Sequence, residues 1–302
     1  KDDQEPGSLT AEGGGWAAGI GGSDGKGTNN IIISGGTVTA EGGNYGAGIG
    51  SGGGSYDGGD HITITGGTVN ATGGDNGAGI GGGYGGVGDH ITIGGGAVTA
   101  EGGENGAGIG GGYSGVGDHI TITGGTVNAS GCAGAGIGGG INGSGSNVTV
   151  SGAAQVTATA GKSSSFYVAG ATIGNGGSVT EDGELVDGKE IQADISRVTT
   201  GYIHHIIYDP ALVSEDNPLG IVREWWEPER PQPKPEDPNA PAEESNEVNL
   251  GTPGLHVETL EGDPLPFDAQ QQGGTLRVTS DTLAARLHGT RQALEALREQ
   301  GV

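Results

Sequence analysis

Three short alternating patterns recur along the first half of the chain, each placing an apolar residue at every second position. The stretch GDHITITGGTVNA occurs at Gly59–Ala71 and again at Gly117–Ala129, with a near copy, GDHITIGGGAVTA, at Gly88–Ala100. Aligned on AGIG, Ile20, Ile49, Ile80, Ile109 and Ile137 fall in one column, spaced by 29, 31, 29 and 28 residues. A second column holds Val38, Val69, Val98, Val127 and Val156, with Leu9 ahead of them. A third holds the pairs Ile31/Ile33, Ile62/Ile64, Ile91/Ile93, Ile120/Ile122 and Val148/Val150. Alternation is the period of a strand, in which every second side chain faces the same way.

Three strands per repeat, joined at Gly pairs, predict an all-β fold. It is a right-handed parallel β-solenoid, or β-helix, of about six coils spanning residues 1–183. In HITIT the Ile residues point inward and His and Thr outward; in GTVNA the Val and Ala point inward; in GAGIG the Ala and Ile do. The last coil, from Val156 to Ile173, is interrupted by an insertion from Lys162 to Val168, the mark of a cap over an edge that would otherwise pair onward.

The pattern changes after residue 183. Residues 184–227 carry EIQADIS, GYIHHIIYDP and IVREWW, a β-rich segment expected to cap or flank the solenoid. Residues 228–247, PERPQPKPEDPNAPAEESNE, read as an extended Pro-rich acidic linker. Residues 248–302 read as a small incomplete α/β module. GGTLRVTS supplies its strand, and DTLAARLHGTRQALEALREQG a helix capped by Ser280 or Asp281 and stopped by Gly301.

Composition supports the repeat reading. The chain has 72 Gly in 302 residues, but Gly does not recur every third position, so collagen is excluded. A net charge of -25 argues against nucleic acid and anionic membranes, which attract Lys and Arg. Residues 1–188 carry Lys1, Lys26 and Lys162 as their only Lys and no Arg. No apolar run is long enough to span a bilayer. The chain opens partway into a repeat, as expected of a piece of something larger, and Cys132 stands alone, so no disulfide framework is expected.

The pairing of GGTVTAEGG or GGTVNATGG with GAGIGGG resembles Gly-rich repeats in large surface proteins of Gram-positive, gut Firmicutes-like bacteria, over about Gly7 to Gly177. That resemblance implies an extracellular, cell-surface location and an adhesive or carbohydrate-binding setting. A more distant likeness, resting on the coil pattern alone, is to calcium-containing β-helix domains that bind polysaccharides.

Stacked coils bring equivalent residues above one another, so candidate chemistry falls in ladders. Asp60, Asp89 and Asp118 form one, and aligned carboxylates ~4.8 Å apart repel unless corner N–H groups or a cation such as Ca²⁺ offset them. His61, His90 and His119 run beside it and invite a zinc reading, but like residues at a ~4.8 Å rise on one flat face do not surround a metal as a tetrahedral site requires. Glu12, Glu41 and Glu101 share a column, and Glu41 and Glu101, two coils apart, are the candidate carboxylate pair for a glycosidase. A lyase would need an Arg or Lys base, and the coils offer no Arg. Tyr56, Tyr84 and Tyr113 recur in the loop after GGG, while Trp16 and Tyr45 share another column; a row of aromatics suits stacking on sugar rings. These observations favour a non-catalytic extracellular rod that binds a polysaccharide or glycan, with Ca²⁺ assistance in one version. The alternatives are a polysaccharide-active glycosidase or lyase, and a filament built from copies of the chain.

Overall fold

The computed structural model describes residues 7–55, 58–163, 168–214 and 216–228, and five strands beyond residue 254. Two compact units are present, Lys1–Arg230 and Pro231–Val302.

The first unit is a parallel β-solenoid with three walls. The first wall stacks Ser8–Glu12, Thr37–Glu41, Thr68–Thr72, Ala97–Glu101, Thr126–Ser130 and Gln155–Gly161. The second stacks six two-residue strands, from Ile20–Gly21 to Ile173–Gly174. The third stacks Thr28–Ile33, Gly59–Ile64, Gly88–Ile93, Gly117–Ile122 and Val148–Val150. Five complete turns result, rather than about six. After Val150 the third wall continues only through single bridges, such as Thr149 to Asp194, because no HITI-like segment follows.

Register follows the sequence columns without slippage. Val69 pairs with Val98 and Val98 with Val127; Ile80 pairs with Ile109 and Ile109 with Ile137. A one-residue slip would carry every apolar side chain to the outer face. The inward residues Ile49, Ile62, Ile64, Val69, Ile80, Ile91 and Ile109 are fully buried, and one continuous cluster runs from Ile33 to Ile203. Each buried Ile contributes roughly 1.5–3 kcal/mol, so an aliphatic ladder of about two dozen small and medium side chains stabilises a chain that has few aromatics.

Gly is required where the second wall turns. Gly21, Gly50, Gly81, Gly110, Gly138 and Gly174 hold φ between 129° and 143°, and a Cβ on Gly110 would overlap the carbonyl oxygen of Gly138 in the next coil. These glycines are conformational requirements at close backbone contacts and not only a bare outer surface.

The segment 184–227 belongs to the same compact unit. Tyr202–Tyr208 adds in parallel to Gln155–Gly161, and Ile221–Glu227 then pairs antiparallel with it, closing the first wall. Ile191, Ile195 and Val198 pack against the end of the core. The solenoid is therefore capped by a strand that continues its own register and then reverses.

Of the linker 228–247, all but Pro228 lies outside the described residues. In the second unit, Leu255–Glu258 pairs antiparallel with Pro264–Leu265 and with Arg286–Gly289, and Asp268–Gln272 forms a hairpin with Thr275–Thr279. The strand expected within GGTLRVTS is present. The helix expected over 281–301 is not: Arg286–Gly289, at its centre, is a strand, and the residues around it lie outside those described. Gly289 costs a helix about 1 kcal/mol relative to Ala, and pairing with Leu255–Glu258 gives its backbone partners in a sheet instead.

Candidate functional site

Aromatic side chains from two loop columns meet in one ridge. Trp16 and Tyr45 sit in the turn before the second-wall strands, in register through Tyr45 N–H donating to the Gly15 carbonyl at 3.0 Å. Tyr84 and Tyr113 sit in the loop after those strands. The two columns interlock because the later loop of one coil bonds to the earlier loop of the coil before it: Tyr84 N–H donates to Tyr45 O at 2.8 Å and Tyr113 N–H to Asn76 O at 2.9 Å. Trp16 stacks on Tyr45 at 4.0 Å, Tyr84 stacks on Tyr113 at 5.2 Å, and Tyr45 meets Tyr84 edge-on at 5.7 Å. Two separate rows in the sequence thus become one surface across four coils. Trp16 is 40% exposed and Tyr84 37%.

The position in register with Tyr84 in the preceding coil is Gly53, since Gly54 N–H donates to Tyr84 O as Gly85 N–H does to Tyr113 O. Trp16 and Tyr45 lie over Gly53, where a Cβ would fall 2.6 Å from Tyr45 Cβ. Tyr56, expected in this row, lies outside the described residues. Past the rings the ridge turns polar: Asn105 Nδ2 donates to Asn76 Oδ1 at 2.9 Å, and Asn142 Nδ2 approaches the Tyr113 hydroxyl at 3.4 Å.

The Asp and His ladders form a second candidate surface, on the third wall. Asn30, His61, His90, His119 and Asn147 all adopt left-handed backbone, with φ of 65°, 56°, 52°, 46° and 49°. This residue breaks the alternation just ahead of the Ile pair, so that in Gly59–Ile64 the glycine is buried and both Asp60 and His61 face outward. The imidazoles of His61, His90 and His119 stack with centroids 4.9 Å apart. Asp89 Oδ1 accepts from His90 N–H at 2.8 Å, its Oδ2 lies 2.9 Å from His90 Nδ1, and its Oδ1 also lies 3.2 Å from His119 Nδ1. Asp118 Oδ1 accepts from Ser146 Oγ, Asn147 Nδ2 and His119 N–H at 2.8, 2.8 and 2.9 Å. Partial burial pushes the Asp118 carboxyl up, but these hydrogen bonds outweigh it and hold it below the usual range. The corner N–H groups and the His column thus offset carboxylate repulsion with this chain's own donors.

The Glu column is arranged as the spacing predicts, with Glu12 beside Glu41, Glu41 beside Thr72 and Thr72 beside Glu101. Glu41 and Glu101 are both exposed. Acid–base work needs the two environments to differ, and these two share one solvated face.

A buried polar chain that no sequence spacing marked sits under the cap. Glu190 accepts from Thr172 N–H at 2.7 Å and from Ile173 N–H at 3.1 Å, and lies 3.0 Å from Thr172 Oγ1, which in turn is 2.6 Å from His205 Nδ1. An ionised carboxylate only accepts, so the hydroxyl donates to Glu190 and receives the proton on His205 Nδ1. That leaves His205 Nε2 a buried acceptor without a hydrogen-bond partner. Burial, with His204 and Arg223 nearby, drops the His205 pKa to about 4, and burial pushes Glu190 up. The hydroxyl lies between the carboxylate and the imidazole, whereas a hydrolytic triad needs the imidazole in the middle, and Thr172 is fully buried. Trp225 stacks on His205 at 4.4 Å and Trp226 on His204 at 3.8 Å, so both tryptophans cover, each half-buried. Cys132 lies beside Tyr208, and burial raises both groups, Tyr208 to about 12, which keeps the thiol protonated.

A family model described as a β-helix repeat matches five segments of the chain, residues 7–24, 31–53, 62–84, 91–113 and 120–141. These segments carry the loops of the aromatic ridge and most of the three walls. No curated protein and no solved structure gives a match. Among the described residues, no helix is long and apolar enough to cross a membrane.

Proposed function

We propose that this β-helix repeat protein is a non-catalytic rod on a bacterial cell surface whose aromatic ridge binds a polysaccharide. The observation that carries the reading is the continuous surface of Trp16, Tyr45, Tyr84 and Tyr113 across four stacked coils. Aromatic rings give large, stiff contact area with a polar handle on each Tyr, the combination that favours recognition of amphipathic partners. A glycan offers apolar ring faces and hydroxyl edges, and the ridge offers rings followed by the Asn76 and Asn142 amides, with Asn105 buried behind Asn76. The ridge runs along the coil stack, which suits a linear polymer rather than a single sugar. Catalysis is disfavoured because Glu41 and Glu101 stand alike in solvent and the Glu190–Thr172–His205 chain is buried with its hydroxyl between carboxylate and imidazole.

Affinity electrophoresis through polysaccharide-containing gels, paired with a reducing-end assay, tests this reading. Retardation without release of reducing ends is expected, with Trp16→Ala and Tyr84→Ala each restoring mobility. Release of reducing ends would replace the binder by an enzyme, and retardation indifferent to both substitutions would remove the ridge from the account.

A further inference from the structure

The third wall carries a constellation that the carbohydrate reading does not use. We infer that Asp89, His90 and His119 form an open site for a borderline divalent transition ion such as Zn²⁺, held by two imidazole Nδ1 atoms and one carboxylate. Their ligand atoms all lie within 4.8 Å of one another, and Asp89 lies 2.9 and 3.2 Å from the two Nδ1 atoms. Ligands ~2.0–2.1 Å from a tetrahedral Zn²⁺ stand ~3.3 Å apart, close to the two Asp89–imidazole distances, and rotation of the stacked rings, now 11° from parallel, would aim both Nδ1 atoms at one ion. Stacking of identical imidazoles alone would not surround a metal. The carboxylate from the lower rung, lying between two rungs of His, supplies the third direction, and Asp118 Oδ2, 3.0 Å from His119 Nδ1, stands ready beside it.

Two further facts point to use of the side chains. The column sits at left-handed φ, where Gly is least costly, and this chain uses Gly freely at such positions. Three successive coils nevertheless place His there, at a backbone cost of about 1 kcal/mol or more each. The His side chains are also 52% exposed at rungs 90 and 119, open to an ion from solution. Imidazole nitrogen selects Zn²⁺, Ni²⁺ or Cu²⁺, whereas Ca²⁺ takes six to eight oxygens and gains little from two nitrogens. When Nδ1 ligates, the neutral ring carries its proton on Nε2.

The test is Co²⁺ and Zn²⁺ titration of the full chain, followed by visible absorption for Co²⁺ and calorimetry for Zn²⁺. His90→Asn and His61→Asn are compared with the parent; Asn30 and Asn147 show that this column accepts Asn with its left-handed φ, so both variants keep the fold, and circular dichroism checks it. The expected result is one ion per chain, weakened about ten-fold or more by His90→Asn and by Asp89→Asn, unchanged by His61→Asn, and not displaced by excess Ca²⁺. Absence of Co²⁺ or Zn²⁺ binding, equal binding by His90→Asn, or displacement by Ca²⁺ would each overturn the site.

Discussion

At the scale of single residues, backbone conformation decides more than side-chain identity. The repeated Gly after each second-wall Ile looks interchangeable with its neighbours in the sequence, yet its φ near 130° and its contact with the next coil make it irreplaceable. Gly110→Ala is expected to lower unfolding free energy by about 1–3 kcal/mol from conformation alone, with the overlap on Gly138 adding to it. Gly14→Ala meets nothing within 4 Å and serves as the control. Urea unfolding of both variants checks this; equal midpoints would contradict it. The Asp-His corner was half legible. Asn at the same column position in Asn30 and Asn147 was the available signal for left-handed backbone, because Asn and Gly are the residues that most readily adopt it. Strict alternation back from the Ile pair would turn the Asp inward, and the left-handed residue between them turns it out.

At the scale of elements, the two long walls were legible because Val-x-Ala and Ile-x-Ile alternation survives in every coil. The pairing of the aromatic rows was not, since it depends on how the loop of one coil bonds to an earlier loop of the preceding coil, 39 residues away in the case of Tyr84 and Tyr45. The Glu190–Thr172–His205 chain was hidden for the same reason: its members come from three separate segments. Its consequence is a pH-dependent cap. His205 has a folded pKa of about 4 against about 6.5 when unfolded, so the unfolded chain binds the extra proton between those values. The stabilisation is therefore fully present above pH ~6.5 and is lost as pH falls toward 4, amounting to about 3 kcal/mol at most. Glu190 acts with the opposite sign, because its raised pKa lets the folded state hold a proton that the unfolded chain releases. Glu227, 3.9 Å from His205 Nε2, softens the loss once the imidazole charges. Urea midpoints for the parent should fall from pH 7.5 to pH 5, and His205→Gln should flatten that fall; an unchanged pH slope in the variant would assign it elsewhere.

At the scale of the whole molecule, stability is a sum over like coils, each buried by the next, and the count of coils is a free variable within limits. Deleting residues 88–116 removes one full repeat and joins Val87 to a Gly117 that begins the same GDHITI sequence. The shortened chain is expected to keep its β-sheet circular dichroism and unfold cooperatively. Deleting 88–101, which breaks the three-wall cycle, should abolish the fold. If both deletions behaved alike, the stacked-coil architecture would be wrong. Sequence overcounted the turns because the Val and Ile columns continue one rung past the third wall, which beyond Val148–Val150 goes on only through isolated bridges such as Thr149 to Asp194. The measurement that most directly tests the account is a polysaccharide and glycan array of the whole chain, run with Ca²⁺ and again with EDTA, with a Trp16→Ala/Tyr84→Ala double variant alongside. Binding by the parent to a linear glycan, lost in the variant and indifferent to EDTA, is the result expected of an aromatic ridge. An array with no parent binding, or binding that the double variant retains, would contradict it.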